Sequence, residues 1–232
     1  MTIADRVKTV RDQIGEAALR AGRRPEDITL VAAAKMNTAE KVRAAIEAGV
    51  DAVGENRVQE MLQKNDEGAY RGVPLHFIGH LQTNKVRQVV GVCRMIESVD
   101  SEELLALIGK KAQSLNITQE ILIEVNIGRE LSKSGVLPER LDEILVAASK
   151  TPGISVRGLM AIPPIYGNFS GSDHYFEEMY KLFVDIRVKK YDNISMHYLS
   201  MGMSDTFAAA IHAGANMVRV GSAIFGERFY PQ

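Results

Sequence analysis

The stretch Thr29–Glu55, "TLVAAAKMNTAEKVRAAIEAGVDAVGE", reads as strand, helix and strand within 27 residues. "TLVAAA" is a continuous run of apolar residues, the pattern of a strand buried on both faces. Asn37 with Glu40 three positions later resembles a capping box. Val42, Ala45 and Ile46 share one helical face, and Gly49 can end the helix before "AVGE" resumes as a strand. Two strands joined by a crossover helix form the unit of a parallel sheet.

The same alternation continues along the chain. Further strand candidates are "LHFIG", "CRMIES", "ILIEVN", "SVRGLMAI", "HYLSM" and "MVRVG". A total of about eight favours an α/β fold of the closed (β/α)8 TIM-barrel type over an open sheet. Between them, Pro138 suits the first turn of a helix carrying Leu141, Ile144, Leu145 and Ala148, and Pro152-Gly153 stops it. Phe176, Met179, Phe183 and Ile186 form another helical stripe, read as core. Ahead of the first strand, Ile3, Val7, Val10 and Ile14 predict an extra N-terminal helix. Only "SAIFGERFYPQ" follows the last strand, so the N-terminal helix is expected to cover that side. No Gly-, Ser- or Pro-rich linker interrupts the pattern, and residues 1–232 read as one domain.

Composition narrows the class. With 46% hydrophobic and 25% charged residues, the chain is that of a globular protein rather than a disordered one. A formal net charge of −1 gives no broad positive field for nucleic acid or an anionic membrane. The N-terminus lacks a signal-peptide core, and no apolar run reaches the roughly 18 residues of a membrane span. These features predict a soluble, cytoplasmic protein. The single cysteine, Cys93, excludes an intrachain disulfide and a cysteine metal cluster, and its apolar setting reads as an inert packed thiol.

In a barrel of this type the site lies at the C-terminal ends of the strands. Lys35 ends an apolar run there, and an ammonium group in that position needs a reason. Either it reaches water or a carboxylate such as Glu55 or Glu124, or it is a nucleophilic amine in a pocket. Asn56, His80, Asn126 and Met160 fall at other strand ends. In "LSMGMSDTFAAAIHAG", Gly202 permits close backbone approach, and Ser204 or Asp205 is expected to start a helix. The loop at Gly221-Ser222 follows the last strand, and phosphate sites in barrels are often built from these last two loops. Tight turns and a helix cap are the alternative explanation. Arg219, flanked by Val218 and Val220, should face the barrel interior, paired either with an acid or with a ligand. His76 and His80 lie four apart on a strand and turn without a third partner, so no metal site is expected. The chain lacks a Gly-x-Ser-x-Gly elbow, a Walker loop and a dinucleotide fingerprint.

Amine, phosphate loops and interior arginine together fit pyridoxal 5′-phosphate (PLP). The segments "LVAAAK", "GENRVQE", "HFIGHLQTNK", "VNIGRELSKSG", "RGLMAIPP", "LSMGMSDTF" and "MVRVGSAIFGER" occur in one order over the whole chain. In them the sequence resembles the YggS/PROSC family of PLP homeostasis proteins. That resemblance implies a barrel like the N-terminal domain of alanine racemase, with PLP held on Lys35 as a Schiff base, the internal aldimine. It implies that Asn56 and Met160 line the cofactor, that Ser200, Gly202, Ser204, Gly221 and Ser222 hold the phosphate, and that Arg219 meets the pyridine nitrogen. His80 would lie near the mouth. The stretch "PPIYGNFSGSDHY" has no counterpart in the resemblance.

The family is known for binding the cofactor without an established catalytic activity and for influencing vitamin B6 balance. An arginine stays protonated, so the ring nitrogen it faces stays unprotonated and the ring is a poor electron sink. The resemblance therefore points to a carrier or regulator rather than an enzyme. Its partners would be PLP-dependent apo-enzymes or B6 salvage enzymes, and a monomer is expected. The alternatives are an amino-acid racemase or related PLP enzyme, with His80 or Tyr198 as a base, and an interaction module with Lys35 in an ion pair.

Overall fold

Eight parallel strands close into a barrel in sequential order, the eighth pairing back on the first. In the computed structural model, which describes residues 1–164 and 173–226, these are β1 (Thr29–Ala33), β2 (Ala52–Glu55), β3 (Leu75–Phe77), β4 (Met95–Val99), β5 (Gln119–Val125), β6 (Ile154–Ala161), β7 (Ile194–Ser200) and β8 (Met217–Val220). The helices are α1 (Ile3–Arg20), α2 (Ala39–Glu47), α3 (Val58–Asp66), α4 (Val86–Val89), α5 (Glu102–Ser114), α6 (Leu141–Ser149), α7 (Asp173–Arg187), α8 (Phe207–His212) and α9 (Ser222–Phe225). All eight strand candidates lie on these strands. Residues 165–172 of the "PPIYGNFSGSDHY" stretch, and the "ERFYPQ" end from residue 227, lie outside the described residues.

Side chains of alternating strand positions sort into two layers. Val31, Ala52 and Met217 form one cluster inside the barrel, Met95, Leu122 and Met160 form another, and Tyr198 packs against both. The larger core lies between strands and helices, and takes in the helical stripes Leu141, Ile144, Leu145, Ala148 and Phe176, Met179, Phe183, Ile186. Gly158 marks a register shift between β6 and β7; a Cβ there would fall 1.8 Å from the Tyr198 carbonyl oxygen. Only glycine allows that strand crossing.

Helix α1 begins with a capping box, Thr2 with Asp5, and buries Val7, Val10 and Ile14. It packs on α2, α8 and α9, which covers the junction of β8 and β1 as the sequence predicts. Two helix starts differ from the expectation. Thr38, not Asn37, caps α2 by accepting from the Lys41 N–H, because the chain turns through Met36 at φ 63° and the Asn37 side chain folds back onto the Lys35 carbonyl. Helix α8 begins at Phe207 rather than at Ser204 or Asp205, because the Ser204 hydroxyl is drawn to the loop after β8. Cys93 is buried, and burial pushes its thiol up to about 12, in keeping with an inert role. Among the described residues, no helix is long and apolar enough to cross a membrane, and no group of three metal-binding side chains is present.

Candidate functional site

Val31 belongs to an inner cluster and Ala34 to the outer core, and the half-buried Lys35 comes directly after them, in the turn that leaves the C-terminal end of β1. The backbone on both sides of it is gripped by α3. Lys64 Nζ donates to the Ala34 carbonyl at 2.9 Å, and Glu60 Oε2 accepts from the Met36 N–H at 2.7 Å. A non-glycine residue in the left-handed region costs about 1–2 kcal/mol, so the Glu60 contact offsets strain at Met36. Lys64 is held in turn by Glu55, 2.7 Å away, which also accepts from the Tyr70 hydroxyl. Glu55 therefore pairs with Lys64 outside the barrel. Burial outweighs Lys64 and Tyr70 and holds the Glu55 carboxyl above its ordinary pKa.

Arg219 points into the barrel, as the alternation on β8 predicts, and is 4% exposed. Its neighbours form a closed relay. Nη2 donates to the Ala161 carbonyl at 2.9 Å and Nη1 to Ser200 Oγ at 2.6 Å. Ser200 Oγ donates onward to Glu97 Oε2 at 2.6 Å. His76 Nδ1 lies 2.7 Å from the other oxygen, Glu97 Oε1. Buried carboxylates ordinarily take up a proton, yet His76, Arg219 and Ser200 together hold Glu97 below its usual value. An ionised carboxylate only accepts, so Nδ1 is the donor. Ser200, expected at the phosphate, thus has its hydroxyl committed to Glu97 and Arg219. Burial lowers the Arg219 pKa, while Glu97 and Glu124 raise it.

Register fixes the spacing along the barrel. Arg219 is level with Val31, and Lys35 lies four residues farther along the chain, beyond the C-terminal end of β1. Met160, fully buried on β6, pairs in register with Glu124 on one side and Ser200 on the other. Burial and the nearby Asp100 raise the Glu124 carboxyl to about 7, against the pull of Arg219. Asn56 follows β2, and its Oδ1 is buried with no partner among the described residues.

The last two loops meet directly. Ser204 Oγ accepts from the N–H groups of Gly221 and Ala223, both at 3.3 Å, and the Gly202 carbonyl accepts from the Arg219 N–H. Gly202 has φ 94°, and a Cβ there would lie 2.7 Å from that of Ala210, so the position requires glycine. Ser222 is exposed on α9. A crevice lined by Ala161, Ile162, Gly202, Met203, Thr206 and Arg219 opens beside these loops. His80 stands apart at the rim, exposed, 3.1 Å from Ser134 Oγ and 3.9 Å from Asp100. Tyr198 lies deeper, among the inner apolar clusters.

Sequence reading missed Glu97, Glu60 and Lys64, and set His76 aside. Glu97 shares strand parity with Met95 in an otherwise buried strand, and Lys64 falls three residues after Met61 on the buried face of α3; both were visible signals.

The family model for the alanine racemase N-terminal domain matches residues 12–229. A curated relative from Aquifex aeolicus, named pyridoxal phosphate homeostasis protein, is 40% identical over 99% of this chain and 100% of its own length. One of the same name from Escherichia coli K12 is 38% identical over 98% of this chain and 97% of its own. Among solved structures, PipY of Synechococcus elongatus PCC7942 with PLP bound superposes with a TM-score of 0.84 at 30% identity, over 97% of this chain and 100% of that one. An eight-stranded barrel with its polar residues at one mouth, matched over its full length by these relatives, belongs to the family of pyridoxal phosphate homeostasis proteins built on the alanine racemase N-terminal domain.

Proposed function

We propose that this chain holds PLP covalently on Lys35 and acts as a monomeric, single-domain, cytoplasmic carrier or regulator in vitamin B6 homeostasis. It would catalyse no reaction of its own and would pass PLP to apo-enzymes or salvage enzymes. The observation that carries the reading is Lys35 at the C-terminal end of β1, its flanking backbone held on both sides by α3, in a barrel whose interior carries an arginine in a buried relay. PipY, a relative with PLP bound, supports the choice of cofactor.

The residues present fit the group. Asn56 Oδ1 is a buried acceptor without a partner among the described residues, and the N–H groups of Gly221 and Ala223 converge on one hydroxyl oxygen, a geometry that also suits a phosphate oxygen. Bound PLP would supply an aldehyde, and Lys35 would be the amine that holds it. Asn56 and Met160 would line the ring. Gly202, Ser204, Gly221 and Ser222 would serve the phosphate, and His80 the mouth. Ser200 would serve the ring end by orienting Arg219. Arg219 would donate to the pyridine nitrogen and, as a permanent cation, keep that nitrogen unprotonated, which favours holding the cofactor over carbanion chemistry.

The carrier reading is tested by transfer. Cofactor loaded on this chain should reach a PLP-dependent apo-enzyme faster than it hydrolyses into solution; equal rates would remove the carrier role. Exchange of an amino-acid α-hydrogen in heavy water, above that of free PLP and lost in Lys35→Ala, would instead make the protein an enzyme.

A further inference from the structure

The flank between α4 and α5 differs from the rest of the helical shell. Helix α4 has four residues and α5 has 13, so α4 leaves part of its neighbour uncovered. The result is a groove of about 420 Å³. Buried Val86 and half-buried Leu107 form its floor, and Arg87, Lys110 and Lys111 its rim. Its far end, at Ser114, continues into exposed Leu115 and Ile117, which gather around Gly91 beside exposed Val92. Apolar floor and apolar extension thus form one surface.

The rim charge is uncompensated. Among the described residues, Lys85, Arg87, Lys110 and Lys111 make no side-chain ion pair, and no acid lines the groove. Elsewhere on the shell, Arg20, Arg43, Arg57 and Arg140 each hold a glutamate three or four residues away, while others such as Lys41 and Arg71 also make no ion pair among the described residues; what sets the groove apart is that its cations edge an apolar floor. A chain of net charge −1 has therefore left one apolar groove edged by cations alone.

We propose that this groove docks an acidic amphipathic helix of a partner protein. Leucine-like side chains would enter over Val86 and Leu107, while flanking carboxylates meet Arg87 on one wall and Lys110 and Lys111 on the other. The apolar floor argues against nucleic acid, whose phosphates would find cations only at the rim. Its concavity argues against a flat lipid surface. The proposal is independent of what Lys35 binds.

The test uses the full chain and a fluorescein-labelled synthetic peptide of roughly 14 residues, about four helical turns, with leucines on one face and glutamates flanking them. A shuffled peptide of the same composition is the control. By anisotropy, the amphipathic peptide should saturate and the shuffled one should bind at least several-fold more weakly. The double variant Lys110→Glu/Lys111→Glu should weaken binding about 10-fold or more, and raising salt from about 50 to about 300 mM should weaken it further. Leu107→Glu should also abolish the preference for the amphipathic peptide. Lys110 is exposed while Lys111 and Leu107 are half-buried, so a thermal melt of each variant, unchanged from the parent, verifies that it is folded. Equal binding of the two peptides, an affinity indifferent to charge reversal, or no binding would overturn the proposal. So would a single-stranded oligonucleotide or anionic phosphatidylserine vesicles that bind through Lys110 and Lys111 while the peptide does not.

Discussion

Glu97 and Glu55 are both fully buried, one inside the barrel and one outside it, and they meet different fates. Glu97 has each oxygen engaged, by His76 and by Ser200, with Arg219 at 4.0 Å, and its pKa is held down. Glu55 places one oxygen on Lys64 and Tyr70 and leaves Oε2 without a partner among the described residues, and burial pushes its pKa up. Burial alone does not decide the charge of a carboxylate; saturation of both oxygens beside a permanent cation does. The two clusters also serve the site differently. The inner one fixes a guanidinium, and the outer one grips the backbone that carries Lys35.

Removing each carboxyl's charge in turn sharpens this contrast most. Glu97→Gln leaves Arg219 buried without its acid and should cost about 3–5 kcal/mol in urea unfolding. Glu55→Gln, already disfavoured as an anion, should cost less, about 1–3 kcal/mol. Equal losses would break the comparison.

Next come the opposite pH dependences. A lowered folded pKa makes the Glu97 contribution present above the ordinary carboxylate value and lost as pH falls through the folded one. For Glu124, raised from 4.5 to about 7, the sign reverses: its contribution is fully present below 4.5 and fades as pH rises to about 7. Glu124→Gln should therefore flatten the stability profile across that window and gain on the order of 3 kcal/mol at pH 8 relative to the parent. A profile unchanged by the substitution would show that Glu124 is not held protonated.

The smallest effect is expected from the loop clamp. Glu60→Gln weakens one charge-assisted hydrogen bond at Met36 and should cost about 1 kcal/mol. Its diagnostic consequence is kinetic: Lys35 should react with PLP more slowly, whereas Gln63→Ala, exposed on the same helix and bonded to Glu67 instead, should leave the rate unchanged. Equal rates in both variants would deny α3 a role in positioning Lys35.

The barrel was legible because its signals are local. Period-two alternation around Arg219 and Val31 is enough to turn a side chain inward, and apolar runs separated by helical stripes are enough to count strands. The relay was not legible in the same way. Ser200 and Glu97 are 103 residues apart, and their 2.6 Å contact exists only once β4 and β7 face each other across a closed barrel. Likewise Glu60 reaches Met36 across 24 residues, a contact set by where α3 returns against the end of β1. The misplaced start of α8 has the same origin: Ser204 has ordinary capping chemistry, but two N–H groups from the next loop compete for its oxygen. Residue type showed which groups needed partners, and the closed topology chose them.

The proposed function stands or falls with Lys35 as the residue that holds the cofactor. The most direct measurement is the absorption spectrum of the purified protein with added PLP, followed by borohydride reduction and peptide mass mapping. A protonated-imine band absent from Lys35→Ala and a single reduced pyridoxyl label on Lys35 are expected. No band, or a label spread over surface lysines, would contradict it.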